Sequence, residues 1–154
     1  MLGVTLYTGL KFVHVFAAIV AVGTNVTYGV WFAMARRSPD NEMFALRGIK
    51  LLDDRVANPA YAVLLIAGIL TVLEGHWSFG QLWIALGIGL YVLLATIAAV
   101  VFTPSLRKQI EVLATEGRGS PEYARLGSRV QLSGAILGVI VIAVVFIMVT
   151  KPTT

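Results

Sequence analysis

The chain has 154 residues, 58% of them hydrophobic and 13% charged, with a net charge of +4 and no cysteine. A soluble domain of this size carries about 25% charged residues. Here the apolar excess falls in long runs, which excludes an ordinary water-soluble enzyme and indicates an integral membrane protein of one domain, residues 1–154. Without cysteine there is no disulfide framework, thiolate metal site or iron–sulfur cluster. The basic residues flank the apolar runs, where topology and anionic lipid account for them, so no nucleic-acid partner is expected.

Four spans are predicted, each with the ~20 apolar residues that a helix needs to cross ~30 Å of hydrocarbon. The first runs from about Val4 to Met34, with Tyr7 and Trp31 as interfacial anchors and Arg36-Arg37 as its stop. Its leading segment, MLGVTLYTGL, lacks the cationic start and cleavage site of a secretory signal, so this span is expected to be retained. Ser38-Pro39-Asp40 is a helix-start signal, and NEMFALRGIKLLDDRV after it reads as a short amphipathic helix lying on the membrane surface. Asn58 as cap and Pro59 in the first turn open a second span, Val56 to Leu73. The short loop EGHWSFGQ, residues 74–81, makes it an antiparallel neighbour of the third span, Leu82 to Thr103, which Pro104 ends. The linker beyond holds one surface helix stopped by Gly117, then a restart at Ser120-Pro121 that can run directly into the fourth span, Val130 to Thr150.

Lysine and arginine set the orientation. Arg36, Arg37, Arg47, Lys50 and Arg55 lie in the first connection, and Arg107, Lys108, Arg118, Arg125 and Arg129 in the third; Lys11 and Lys151 stand alone on the other side. Ten against two predicts both connections in the cytoplasm of a bacterial inner membrane and both termini outside. Small residues (Gly87 and Gly89 on span three, Ala60, Ala67 and Gly68 on span two, the Gly134-Gly138 pair on span four) predict close helix packing, within one bundle or across a dimer. The fold class is all-α, an integral membrane four-helix bundle with amphipathic cytoplasmic connections.

The residues able to do chemistry concentrate on span one. Lys11, His14, Ala18, Ala21, Asn25 and Tyr28 step by three or four and share one helix face, which must point into protein or a ligand. A neutral imidazole at His14 can ligate haem iron or a metal ion; it can equally be bonded to a carbonyl of the next helix. Lys11 can pair with an anionic group such as a haem propionate, or extend to the headgroups. His76 and Met148 lie towards the same side as His14 and are the candidates for a second ligand. Asn25, Thr27 and Tyr28 can meet Asn58 and Tyr61 of span two, either as interhelical hydrogen bonds or as the lining of a polar site. Asp53-Asp54-Arg55 reads as surface salt bridging.

LKFVHVFAAIVAVG at 10–23, Arg36-Arg37, ALRGIKLLDDRVANPAY at 45–61, LWIALGIGLY at 82–91 and PSLRK at 104–108 together resemble an uncharacterised family of small bacterial membrane proteins, a domain of unknown function. That group is similar, more distantly, to the copper-resistance D type membrane proteins and to the four-helix protoporphyrinogen oxidase that binds haem b. The oxidase also opens on a K-x-x-H helix, so the resemblance implies haem binding at His14 beside Lys11. It also uses a lysine on the third span near a tryptophan, whereas this chain reads WIALG at 83–87 and has no lysine in that span.

The expected function is therefore a multi-pass membrane protein that binds haem b or a metal ion through span one, with Lys11, His14, Asn25 and Tyr28 around the cofactor and His14 and His76 as metal ligands, in a redox or carrier role. The alternative is a non-enzymatic structural or accessory subunit of a larger membrane complex or homo-oligomer. A third reading, a small transporter, needs a continuous polar path, and the apolar third span argues against one.

Overall fold

A computed structural model describes residues 5–152; Val4, the expected start of the first span, lies outside them. The described chain is helical throughout, in the order α1 (Leu6–Arg37), a 3₁₀ turn (Pro39–Asn41), α2 (Glu42–Leu52), α3 (Asn58–Glu74), α4 (Leu82–Ile97), α5 (Thr103–Thr115) and α6 (Pro121–Thr150). Four continuous helices are long and apolar enough to cross a membrane, namely Leu6–Arg37, Pro39–Glu74, Leu82–Thr115 and Pro121–Thr150. They form an antiparallel four-helix bundle in which α1 packs on α3 and α4 packs on α6. Large apolar side chains stand exposed along its flanks, among them Phe12, Phe16, Ile19, Val26, Val100, Val139, Ile142 and Phe146. Such a surface suits lipid and is untenable in water.

Two expected helix breaks are absent. The helix from α2 to α3 runs on through a π-helical turn, Asp53–Ala57, and that from α4 to α5 through another, Ala98–Phe102. Each wide turn ends two residues before a proline, Pro59 or Pro104. A proline in an α-helix crowds the carbonyl four residues back and cannot donate to it. Here the bonding shifts by one residue instead: the Asn58 N–H donates to the Asp53 carbonyl and the Thr103 N–H to that of Ala98. The helix absorbs the proline and continues. Asn58 is consequently inside a helix and does not cap one, and Pro104 does not end the third helix.

The connections, expected to lie on the membrane surface, are packed inward. α2 buries Glu42, Ala45, Leu46 and Ile49 against α1 and α5, and α5 buries Ser105, Leu106, Gln109 and Val112 against α2 and α6. The largest fully buried side chains, Leu46, Ile49, Leu106 and Val130, all sit at this arginine-rich end. Gly117, at φ +81°, ends α5 where a side chain would be strained, and α6 runs unbroken from Pro121 as one projecting helix.

At the opposite end, which carries Thr5 and Pro152, the contacts are small residues and aromatic rings. Ala17, Ala21 and Ala67 are buried between α1 and α3, and a Cβ on Gly75 would meet the rings of Tyr7 and Trp77. Lys151 Nζ lies 5.5 Å from the Trp77 ring and 5.2 Å from that of Trp83, tying the end of α6 to the α3–α4 loop. The two expected glycines of α6 divide: Gly134 faces the Phe102 ring inside the bundle, while Gly138 is exposed with open space beyond it.

Asp53 joins three spanning helices where the π turns meet. The Thr103 hydroxyl donates to its Oδ2 at 3.0 Å and the Tyr28 hydroxyl to its Oδ1 at 3.4 Å, while the Tyr28 ring stacks on Phe102 at 6.0 Å. Asp53 is 6% exposed, and the surface salt bridge expected for this segment is made by Asp54 with Lys50. Asp53→Ala leaves two hydroxyls without an acceptor and is expected to cost about 1–3 kcal/mol. Asp53→Asn keeps one acceptor and should cost less than half as much. Thermal unfolding in detergent measures both, and an unchanged melting temperature for the alanine variant would refute the tie.

Candidate functional site

The predicted face of α1 is the one turned into the protein. Ala17, Ala21, Tyr28 and Ala35 are buried along it, and His14 and Asn25 are half-buried; Lys11, one turn nearer the chain ends, is exposed. Each polar group inside that face has a partner on the neighbouring helix. Asn25 Nδ2 donates to the Tyr61 hydroxyl at 2.6 Å, Tyr28 reaches Asp53, and His14 Nδ1 lies 2.8 Å from the Leu64 carbonyl oxygen. Tyr61 also packs edge-on against Tyr91, whose hydroxyl donates to the Tyr61 carbonyl at 2.9 Å, linking α3 to α4.

The His14 contact fixes the chemistry of the ring. A carbonyl oxygen can only accept, so Nδ1 carries the proton, and in a neutral imidazole Nε2 is then the nitrogen with the lone pair. This contact depends on Gly68, four residues beyond Leu64 on the same face of α3. A Cβ there would stand 2.8 Å from His14 Cε1 and 2.9 Å from Nδ1, so the missing side chain is what lets the imidazole reach a main-chain oxygen already used by the helix. Nδ1–H on a carbonyl with Nε2 unprotonated is the arrangement found behind metal-ligating histidines.

The other expected ligands lie elsewhere. His76 is exposed in the turn after α3, with φ 53° and its N–H on the Leu73 carbonyl, and so serves as the turn's left-handed residue. The Met148 methyl fills the space above Gly87, where a Cβ would be 2.0 Å away, which makes it packing between α4 and α6. Asn58 is exposed. Among the described residues, no three His, Asp or Glu side chains are gathered to hold a metal ion.

A second polar constellation, made of residues far apart in the sequence, closes the arginine-rich end. Glu42 is 6% exposed; it accepts a hydrogen bond from the Tyr123 hydroxyl at Oε1 and pairs through Oε2 with Arg118 Nε at 3.1 Å. Beside it, Gln109 is 4% exposed. An acid in the first turn of α2, an amide on α5 and a tyrosine on α6 each look like ordinary helix residues. Nothing in their spacing signals that packing α2 against α5 and α6 brings them together.

Residues 8–152 match the model of a family described as predicted integral membrane proteins, DUF2269, and the chain belongs to that family. No curated protein and no solved structure matches it. The match bears out the resemblance to an uncharacterised membrane family and says nothing of the copper-resistance or oxidase families.

Gly68→Ala tests the geometry around His14. The imidazole is rigid, so the added methyl should displace it from Leu64 and cost about 1–3 kcal/mol. Gly87→Ala should cost less, because its obstacle is the free end of a methionine. Thermal unfolding gives the order of the two. The ¹⁵N shifts of labelled histidine should show loss of the Nδ1–H tautomer at His14 in Gly68→Ala alone, and an unchanged tautomer would refute the account.

Proposed function

We propose that this multi-pass membrane protein binds one haem b near the end of α1 that carries Thr5, with His14 Nε2 as the nitrogen that would hold its iron. The observation that supports this reading is the 2.8 Å contact of His14 Nδ1 with the Leu64 carbonyl oxygen, which in a neutral ring leaves Nε2 as the nitrogen able to ligate iron. Gly68, by admitting the ring, orients it in that state. The donor set favours haem over a bare ion. A zinc or copper site needs three or four protein ligands, and none is gathered among the described residues, whereas a haem brings four nitrogens and asks the chain for one or two. Lys11 supplies the positive charge that a propionate needs, one turn outward on the same face. Asn25 and Tyr28, committed to Tyr61 and Asp53, hold α1 in place beneath the ligand and need not touch it. A bound haem would supply one-electron exchange, and the ten-to-two distribution of basic residues supports a position near the outer leaflet.

A second reading has its own support. The bond from His14 to Leu64 also fastens α1 to α3, and an accessory subunit needs nothing more from it. One experiment separates the two. The protein is expressed with abundant haem, purified in detergent, and its visible spectrum recorded for wild type, His14→Ala and His14→Gly with added imidazole. The haem reading expects a Soret band that is lost in both variants and restored to the glycine variant by imidazole. A colourless wild type, with His14→Ala lowering the melting temperature alone, supports the accessory subunit and overturns the first reading.

A further inference from the structure

The constellation around Glu42 encloses a cleft of about 190 Å³, lined from α1 by Phe32 and Arg36 and from α6 by Gly127 and Gln131. Gln109 lines it from α5, and the buried Gln109 Oε1 has no hydrogen-bond partner. A buried amide oxygen without a donor costs about 1–3 kcal/mol, so the position calls for a group that donates to it. Gly127 stands opposite, where a Cβ would come within 3.1 Å of Gln109 Nε2, so the absence of a side chain there makes room for the amide.

The charges narrow the chemistry further. Arg36 and Arg118 set two guanidiniums against the one carboxylate of Glu42, leaving one positive charge. Arg118 already pairs with Glu42, which also accepts from Tyr123, so an ammonium would add a third cation against one carboxylate. Arg36 Nη1 reaches Gln131 Oε1 at 3.5 Å across the mouth, a long contact that a better acceptor would displace. What fits is a monoanion with a free hydroxyl: the anion on the guanidiniums, the hydroxyl donating to Gln109 Oε1. The height of the cleft supplies the rest. It opens between α1 and α6 where the apolar run of α1 gives way to Arg36-Arg37, the level of a phospholipid headgroup.

We propose that this cleft binds a phosphodiester monoanion bearing a free hydroxyl, the chemistry of a phosphatidylglycerol headgroup in the leaflet at the arginine-rich end or of a soluble glycerophosphodiester. The full chain is reconstituted in nanodiscs of mixed dioleoyl lipids, and native mass spectrometry follows which lipid stays bound as detergent strips the rest. Wild type should retain one phosphatidylglycerol about tenfold over phosphatidylcholine, with phosphatidylethanol, a phosphodiester monoanion that has no hydroxyl, in between. Arg36→Gln, at an exposed position, should abolish discrimination against phosphatidylcholine. Gln109→Leu should erase the advantage of phosphatidylglycerol over phosphatidylethanol. Displacement by millimolar free glycerophosphoglycerol identifies the soluble source, and retention in its presence the lipid. Equal retention of phosphatidylglycerol and phosphatidylcholine by wild type overturns the proposal. So does selectivity that survives Arg36→Gln, and the exposure of Arg36 keeps that arm readable even if Gln109→Leu fails to fold.

Discussion

One carboxylate holds the centre of this bundle. Asp53 sits where two helices each take a wide turn ahead of a proline, and it accepts hydrogen bonds from Thr103 on one neighbour and Tyr28 on another. A charge-bearing group so enclosed is tolerable when its acceptor capacity is used, and removing its partners exposes the full cost of burying it. The π turns are what bring the groups together. Without them Pro59 and Pro104 would interrupt the two helices at the level of Asp53 and Thr103.

The two ends of the molecule are held by different physics. In hydrocarbon, apolar side chains gain nothing by leaving lipid for protein, so helices meet there through small residues and hydrogen bonds. That is the composition of the α1–α3 seam: Ala17, Ala21, Ala67, Gly68, and the bonds of His14 and Asn25. At the arginine-rich end water is present, and burying a leucine or isoleucine is worth about 1.5–3 kcal/mol. Leu46, Ile49, Leu106 and Val130 are gathered there. The layer of α2, α5 and the start of α6 is therefore a hydrophobic clasp on spans that lipid alone would hold loosely. Both sites described above lean on this division, one on the hydrogen-bonded seam and one on the clasp.

Much of this was legible in the sequence. The four spans, the short α3–α4 loop, the stop at Gly117 and the polar face of α1 follow from hydropathy, glycine placement and helical periodicity, which act locally. The wide turns were not read, because Pro59 and Pro104 satisfy the ordinary rule that a proline begins or ends a helix. The trace they leave is a buried stripe of Ala45, Ile49, Asp53 and Ala57 spaced by fours, which an ideal helix would rotate off its face by about 40° per step. The burial of Asp53 is hidden for the same reason, since it exists only if the helix does not break. Glu42, Gln109 and Tyr123 left no sequence signal at all, being joined by the packing of three helices.

A π turn also sets angular phase. Each residue advances a helix by about 100°, and the Asp53–Ala57 turn accommodates one residue more than an α turn would. Everything from Asn58 to Glu74 is thereby indexed to the arc that Asp53 occupies, including the bare patch at Gly68 that receives the imidazole some ten residues away. Losing a single residue from that turn would leave hydropathy, length and composition nearly untouched, yet it would swing Gly68 about a quarter-turn around the barrel of α3. A histidine in one helix is thus kept in register by a miscount in another.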